Sequence, residues 1–129
     1  MINKIYVGLP TSDLDKLTEF YKAIGFEFDE KFSRPNFSQF KVSESIYLSI
    51  FPKDEYMKQM PNPNVNPENF GLVSTAVALE SKEKVDELVR GAIDAGGKKF
   101  MDPNDSDFMY MNGFIDPAGH VWTVFNMKM

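Results

Sequence analysis

The stretch Asp116-Pro117-Ala118-Gly119-His120-Val121-Trp122-Thr123-Val124-Phe125 reads as a tight turn feeding a β-strand. Asp-Pro opens the turn, Gly119 is free to take a positive φ, and apolar residues alternate from Val121 onward. Strand alternation puts Val121, Thr123 and Phe125 on one face, with Trp122 and Val124 on the other.

Working back from this strand, residues 108–115 form another apolar strand and residues 98–101 a short one. Before them Val85, Leu88, Val89 and Ala92 recur at helical spacing, with Lys82, Glu83, Asp86 and Glu87 on the opposite side. Ser81 is the expected N-cap, and Gly96-Gly97 the expected stop. Residues 74–79 precede that helix as a strand, with Thr75, Val77 and Leu79 on one face. The order is βαβββ.

The N-terminal half gives the same order. Ile5, Val7 and Leu9 alternate in a first strand that Pro10 is expected to end. Ser12 is the expected N-cap of a helix whose apolar stripe is Leu14, Leu17, Phe20, Tyr21 and Ile24, with Gly25 as its stop. Strands follow at Phe26 and Phe28, at residues 37–42 and at residues 46–51. Ser12 and Ser81 lie about 69 residues apart, and Gly25 and Gly96 about 71, so the pattern repeats over half the chain. The expected organisation is a module at 1–51, a connector at 52–70 and a second module at 71–129.

Pro52, Pro61, Pro63 and Pro67 keep a central strand out of the connector, while residues 53–60 have the composition for one or two helical turns. A segment this long is either a solvated link or a lid or dimer arm carrying Tyr56, Met57 and Met60. Composition narrows the function classes. The net charge of −5 gives phosphates no basic face to meet and gains nothing at an anionic membrane, so neither nucleic acid nor membrane is an expected partner. With no cysteine, disulfides, thiolate metal sites and Cys nucleophiles are excluded. No signal-like or membrane-length apolar run is present, and the expected location is cytoplasmic. Gly-rich phosphate loops and nucleophile elbows are absent.

Several pieces together resemble the vicinal oxygen chelate superfamily of glyoxalases, bleomycin-resistance proteins and extradiol dioxygenases. They are the run Leu9-Pro10-Thr11-Ser12-Asp13-Leu14-Asp15-Lys16 leading to Phe20-Tyr21 and Gly25-Phe26, Phe108-Met109-Tyr110 in the middle, and the closing residues 116–125. The chain is similar over nearly its whole length to small bacterial glyoxalase-like proteins, some of them relatives of lactoylglutathione lyase. The resemblance implies an α+β fold in which paired βαβββ modules build two curved sheets from eight strands around a cavity, helices outside. It also implies a homodimer.

Metal-dependent members hold a divalent ion with His, Gln or Glu from four strands, and the resemblance points to four positions here. The first is Tyr6, seven residues before Asp13. The second is Tyr47 or Ser49. The third is Ser74. The fourth is Thr123, where a Glu usually stands. Hydroxyl groups are weak ligands for zinc- or nickel-like ions, so no metal and no other cofactor is expected at this site. His120, the single histidine, cannot build a two-His-one-carboxylate iron site. It is expected to brace the 116–119 turn or a neighbouring carbonyl. Asp102, Asp105 and Asp107 are expected to be solvated or capping, or to form a weak cation site.

The expected function is binding of a small molecule in the sheet cavity, with Tyr6, Tyr47, Ser49, Ser74, Thr123, Phe125 and Met109 as lining candidates and no catalytic residue assigned. The alternatives are a metal-dependent lyase or isomerase of the glyoxalase type, and a non-catalytic homodimer whose cavity is filled by Phe40, Met109 and Met111.

Overall fold

The computed structural model describes residues 1–59 and 73–128. The chain divides into two compact units, Met1–Asn69 and Phe70–Met129. Each contains a helix and a mixed sheet that does not close into a barrel.

The first unit runs β1 (Ile5–Thr11), α1 (Leu14–Ala23), β2 (Glu27–Phe28), β3 (Ser38–Lys41), β4 (Ile46–Pro52) and α2 (Lys53–Gln59). Its sheet order is β1-β4-β3-β2, with β1 and β4 parallel and the remaining pairs antiparallel. Leu17, Phe20 and Tyr21 share one stripe of α1 and are buried, as are Phe40, Leu48 and Ile50 of the sheet. The Tyr21 ring lies 5.9 Å from Phe40, which in turn meets Phe28 at 5.4 Å. Phe40 therefore belongs to the helix-side core and does not fill the opposite face, in contrast to the filled-cavity alternative. The reason is parity: Phe40 pairs with Leu48, whose side chain faces the helix.

Two local expectations change here. The first strand continues through Pro10 to Thr11 instead of ending at Pro10. β1 is the edge of its sheet, where a missing N–H is tolerated. The helix consequently starts one residue later. Its N-cap is Asp13, whose carboxylate accepts from the Lys16 amide at 3.0 Å, and not Ser12. Serine and aspartate are comparable caps, so local preference alone did not choose between them. Gly25 and Gly96 end the two main helices with φ of 95° and 111°, values that disfavour any side chain.

The second unit runs β5 (Ser74–Ala78), α3 (Lys82–Asp94), β6 (Lys98–Lys99), β7 (Asn104–Asp105), β8 (Met109–Ile115) and β9 (Val121–Met127). Ser81 caps α3 as expected, accepting from the Lys84 amide at 3.1 Å. The order β5-β9-β8-β6 repeats that of the first unit, and β5 and β9 are again parallel. Val85, Val89 and Ala92 of α3 are buried, as are Phe114, Trp122 and Val124 of the sheet. The Phe114 and Trp122 rings stack at 6.1 Å. β7 was not foreseen. It pairs with β8 through Asn104–Met111 and Asp105–Tyr110, and makes nine strands among the described residues.

The turn that opened the sequence reading is held by its aspartate. The buried Asp116 carboxylate accepts from the Ala118 and His120 amides, both at 2.9 Å, and Gly119 has φ 99°. His120 is buried beside it. Of the connector, residues 53–59 form α2; Met60 and the rest, to residue 70, lie outside the described residues.

Gly113 marks the tightest point in the second sheet. A Cβ there would stand 2.6 Å from the Trp122 carbonyl oxygen and 2.9 Å from the Phe100 ring. The backbone oxygen cannot move without breaking the β8–β9 ladder. Gly113→Ala is expected to cost about 1–3 kcal/mol in urea unfolding, the usual range for overpacking. A cost within error of zero would mean that the strands separate freely at this point.

Candidate functional site

One sheet face packs on α1 in the first unit and on α3 in the second, and the other face lies opposite that helix. In the first unit the register lines up the outward residues in three rows across the strands. Tyr6, Tyr47 and Lys41 form one row; Gly8, Ser49 and Gln39 the next; Pro10 and Phe51 lie in the third. Tyr6 and Tyr47 stack with ring centroids 5.0 Å apart and an interplanar angle of 16°. Phe37 meets Phe51 at 5.5 Å, extending the third row. Between these bulky rows the middle row is small and polar. Ser49 Oγ donates to Gln39 Oε1 at 3.3 Å. Tyr56 of α2 leans over the same row, 3.8 Å from where a Gly8 Cβ would sit.

The second unit has a similar arrangement. Ser74, Val121 and Ile115 form one row; Ala76, Thr123 and Gly113 the next; Ala78, Phe125 and Met111 the third, with Met127 and Met109 beyond. Again the middle row is the small one.

The structure therefore gathers Tyr6, Tyr47 and Ser49 on one face of the first unit, and Ser74, Thr123, Phe125 and Met109 on one face of the second. Ser49, not Tyr47, occupies the repeat position of Thr123. Gly8 pairs with Ser49 as Ala76 pairs with Thr123, two residues along from Tyr6 and Ser74 respectively. Sequence reading missed Gln39 and Phe51 in the first unit and Gly113 in the second, and named Tyr56 only in the alternative of a lid or dimer arm. A glycine inside an alternating strand was the available signal, since it often marks close approach of a ligand or another backbone.

The four positions indicated for a divalent ion carry Tyr6, Ser49 or Tyr47, Ser74 and Thr123. Neutral hydroxyls are a poor donor set for such an ion, which prefers imidazole or carboxylate. Among the described residues no three His, Cys, Asp or Glu side chains are placed to share a metal. These residues do not fit the family's metal. Asp102 and Asp105 are also committed elsewhere. Asp102 pairs with Lys99, and Asp105 with Lys128 and with Lys82 at 3.6 Å. The hydrogen bonds from Lys99 and Lys128 hold Asp102 and Asp105, respectively, below the usual carboxylate range. Lys41, at the end of the Tyr6–Tyr47 row, is raised by its hydrogen bond to Glu44.

The helix side of the second unit holds a polar network that sequence reading also missed. Tyr110 Oη donates to Asp86 Oδ1 at 2.6 Å, and Asn112 Nδ2 lies 3.5 Å from the same oxygen. The Lys82 ammonium sits 4.9 Å from the centre of the Tyr110 ring. The network ties α3 to β8 and fixes which residues of β8 face outward.

Structural comparison places this arrangement among known folds. A glyoxalase-related enzyme from Fulvimarina pelagi superposes with a TM-score of 0.82 at 16% identity, over 98% of this chain and 88% of that one. A glyoxalase/bleomycin resistance protein/dioxygenase family enzyme from Burkholderia phytofirmans gives 0.76 at 24% identity, over 95% and 97%. The chain has the glyoxalase/bleomycin resistance/dioxygenase fold, that of the vicinal oxygen chelate superfamily. A protein from Agrobacterium tumefaciens, solved by solution NMR, also matches at 0.76 and 25% identity over the full length of both chains. No protein-family model matches the sequence, and no curated protein does. No helix among the described residues is long and apolar enough to cross a membrane.

The Asp86 hydrogen bond and burial push the Tyr110 phenol up to about 12. Because the folded-state value is raised above 10, the stabilisation is complete below pH 10 and is lost as pH rises toward 12. Tyr110→Phe should lower stability by about 1–2 kcal/mol at neutral pH. The difference from wild type should shrink at high pH. In absorbance titration at 295 nm the variant should lack the phenolate transition near pH 12.

Proposed function

We propose that the protein binds a small molecule on the sheet faces opposite α1 and α3, without the divalent ion usual in glyoxalase-like proteins. The observation that carries this reading is the repeated row pattern. In each unit a row of small or polar residues, Gly8–Ser49–Gln39 and Ala76–Thr123–Gly113, runs between rows of bulky ones. A concave site with apolar walls and a few orienting hydrogen-bond groups is what small-molecule binding requires.

Under this reading Ser49 and Thr123 orient the ligand by hydrogen bonding, and Tyr6, Tyr47, Phe125 and Met109 supply apolar contact. Ser74 lies at the margin of its face and offers a further hydroxyl. No catalytic group is proposed, because hydroxyls without a neighbouring base are weak acids and weak nucleophiles. Assembly as a homodimer, a common arrangement for this fold, is compatible with such sites.

Metal analysis and native mass spectrometry of the purified protein test the reading together. The expected result is far less than one divalent ion per chain, with a bound organic molecule either retained or recovered by incubation with cell extract metabolites. One tightly held divalent ion per chain, removed only by chelator, would instead support a metal-dependent lyase or isomerase.

A further inference from the structure

The end of the second sheet gathers soft donor atoms. Met109 lies directly opposite Met127, and Met111 directly opposite Phe125. Positions two apart on a strand share a face, so the four side chains form a two-by-two block on the face opposite α3. Three corners are thioethers and the fourth is an aromatic ring.

The ladder hydrogen bonds fix how near these corners stand. The Lys128 amide donates to the Phe108 carbonyl at 2.9 Å, which makes 108–128 a hydrogen-bonded pair. Met109–Met127, one step along, is therefore of the non-hydrogen-bonded kind, and so is Met111–Phe125. In such pairs the Cα atoms are about 4.5 Å apart and the side chains are at their closest. Along β8, Met109 and Met111 are about 6.8 Å apart, and the diagonal from Met111 to Met127 is about 7–8 Å. Methionine is unbranched and turns about three side-chain bonds, so sulfurs at these spacings can converge on one point.

The surroundings select the kind of ion. Thioether sulfur is a neutral, polarisable donor that suits copper(I), whereas magnesium and calcium take oxygen ligands. The paired strand residues that flank the block on this face, Ala78 and Asn104, carry no charge. Lys128 turns to the other face, where Asp105 takes its ammonium. Phe125 supplies an aromatic ring, whose face attracts a cation. Met127 is 43% exposed while Met109 and Met111 are half-buried, which leaves a way in and shields an ion once it is there. The chain has no cysteine, and its one histidine, His120, is buried, so neither a thiolate nor an exposed imidazole competes for a soft ion.

We propose that Met109, Met111 and Met127 form a three-sulfur site for a soft monovalent ion of the copper(I) type, with Phe125 at its fourth corner. This site goes beyond the binding of an organic molecule. Met109 and Phe125 belong to both, and neither function depends on the other.

Silver(I), a redox-inert counterpart of copper(I), tests the site when titrated in chloride-free buffer into the full chain labelled with carbon-13 at its methionine methyls. Of the eight methionines, Met109, Met111 and Met127 should shift together and reach a plateau at one equivalent. Copper(I), under reducing and oxygen-free conditions, should move the same methyls, and zinc(II) should move none of them. Met109→Leu keeps the side-chain volume and removes the sulfur. It should weaken silver(I) binding at least about tenfold, no less than the loss of a supporting group does at other metal sites. Met127→Leu, at an exposed position, should do the same and is read if the Met109 variant loses its dispersed spectrum.

A drift of all the methionine signals without a plateau overturns the site, as does a plateau led by methionines outside the block. Leucine variants that bind silver(I) as tightly as wild type, or the absence of any shift, overturn it as well. A chain that fails in these ways yet retains an organic molecule refutes the three-sulfur site alone.

Discussion

In each unit the first strand lies parallel to the last, β1 beside β4 and β5 beside β9. That pairing sits at the centre of everything else the molecule does. It fixes the parity of the sheet, because moving either strand by one residue would turn all its side chains to the opposite face. With the observed register, Leu48 and Ile50 in one unit and Trp122 and Val124 in the other face the helices and are buried. The residues between them are then forced outward. Their small size was not needed for the core, and it leaves a row of low relief between bulky neighbours.

The helices keep this register from slipping. α1 places Leu17, Phe20 and Tyr21 on one stripe, and the Tyr21 ring reaches Phe40. Burying each such side chain is worth about 1.5–3 kcal/mol, so a one-residue slip would expose several of them at once. In the second unit the apolar contact is supplemented by polar ties. Asp86 on α3 accepts from Tyr110 on β8, and Asp105 on β7 pairs with Lys82 and Lys128. The short strand β7 thereby closes the edge of β8 with charge as well as with ladder hydrogen bonds. The outward faces are left with hydroxyls, an amide and aromatic rings, which can recognise a small molecule by shape and a few hydrogen bonds. They are poorly suited to hold a hard or borderline cation.

The elements themselves were largely legible from pattern. Periodicity gave both main helices and the long strands, and Gly25, Gly96 and Ser81 marked helix boundaries for reasons of backbone conformation and capping. The misses have local causes. Pro10 was read as a strand end because its ring removes a donor, but an edge strand does not need that donor. β7 has two residues in a stretch rich in Pro, Asn and Asp, and its pairing with β8 supplies what its own composition does not. Phe40 was free to face either way until its partner Leu48 was known.

The sequence by itself determined the βαβββ order, its repetition, and the absence of imidazole or carboxylate at the four positions that the family resemblance singled out. Those follow from residue identity and short-range spacing, which need no partner strand. Tertiary structure alone decided that Gln39 lines up with Ser49 and Gly8, that Ser49 is the counterpart of Thr123, and that Asp86 meets Tyr110. Each of these joins residues distant in the chain through strand register or helix packing. One strand's alternation names two faces, but only its pairing says which face turns outward.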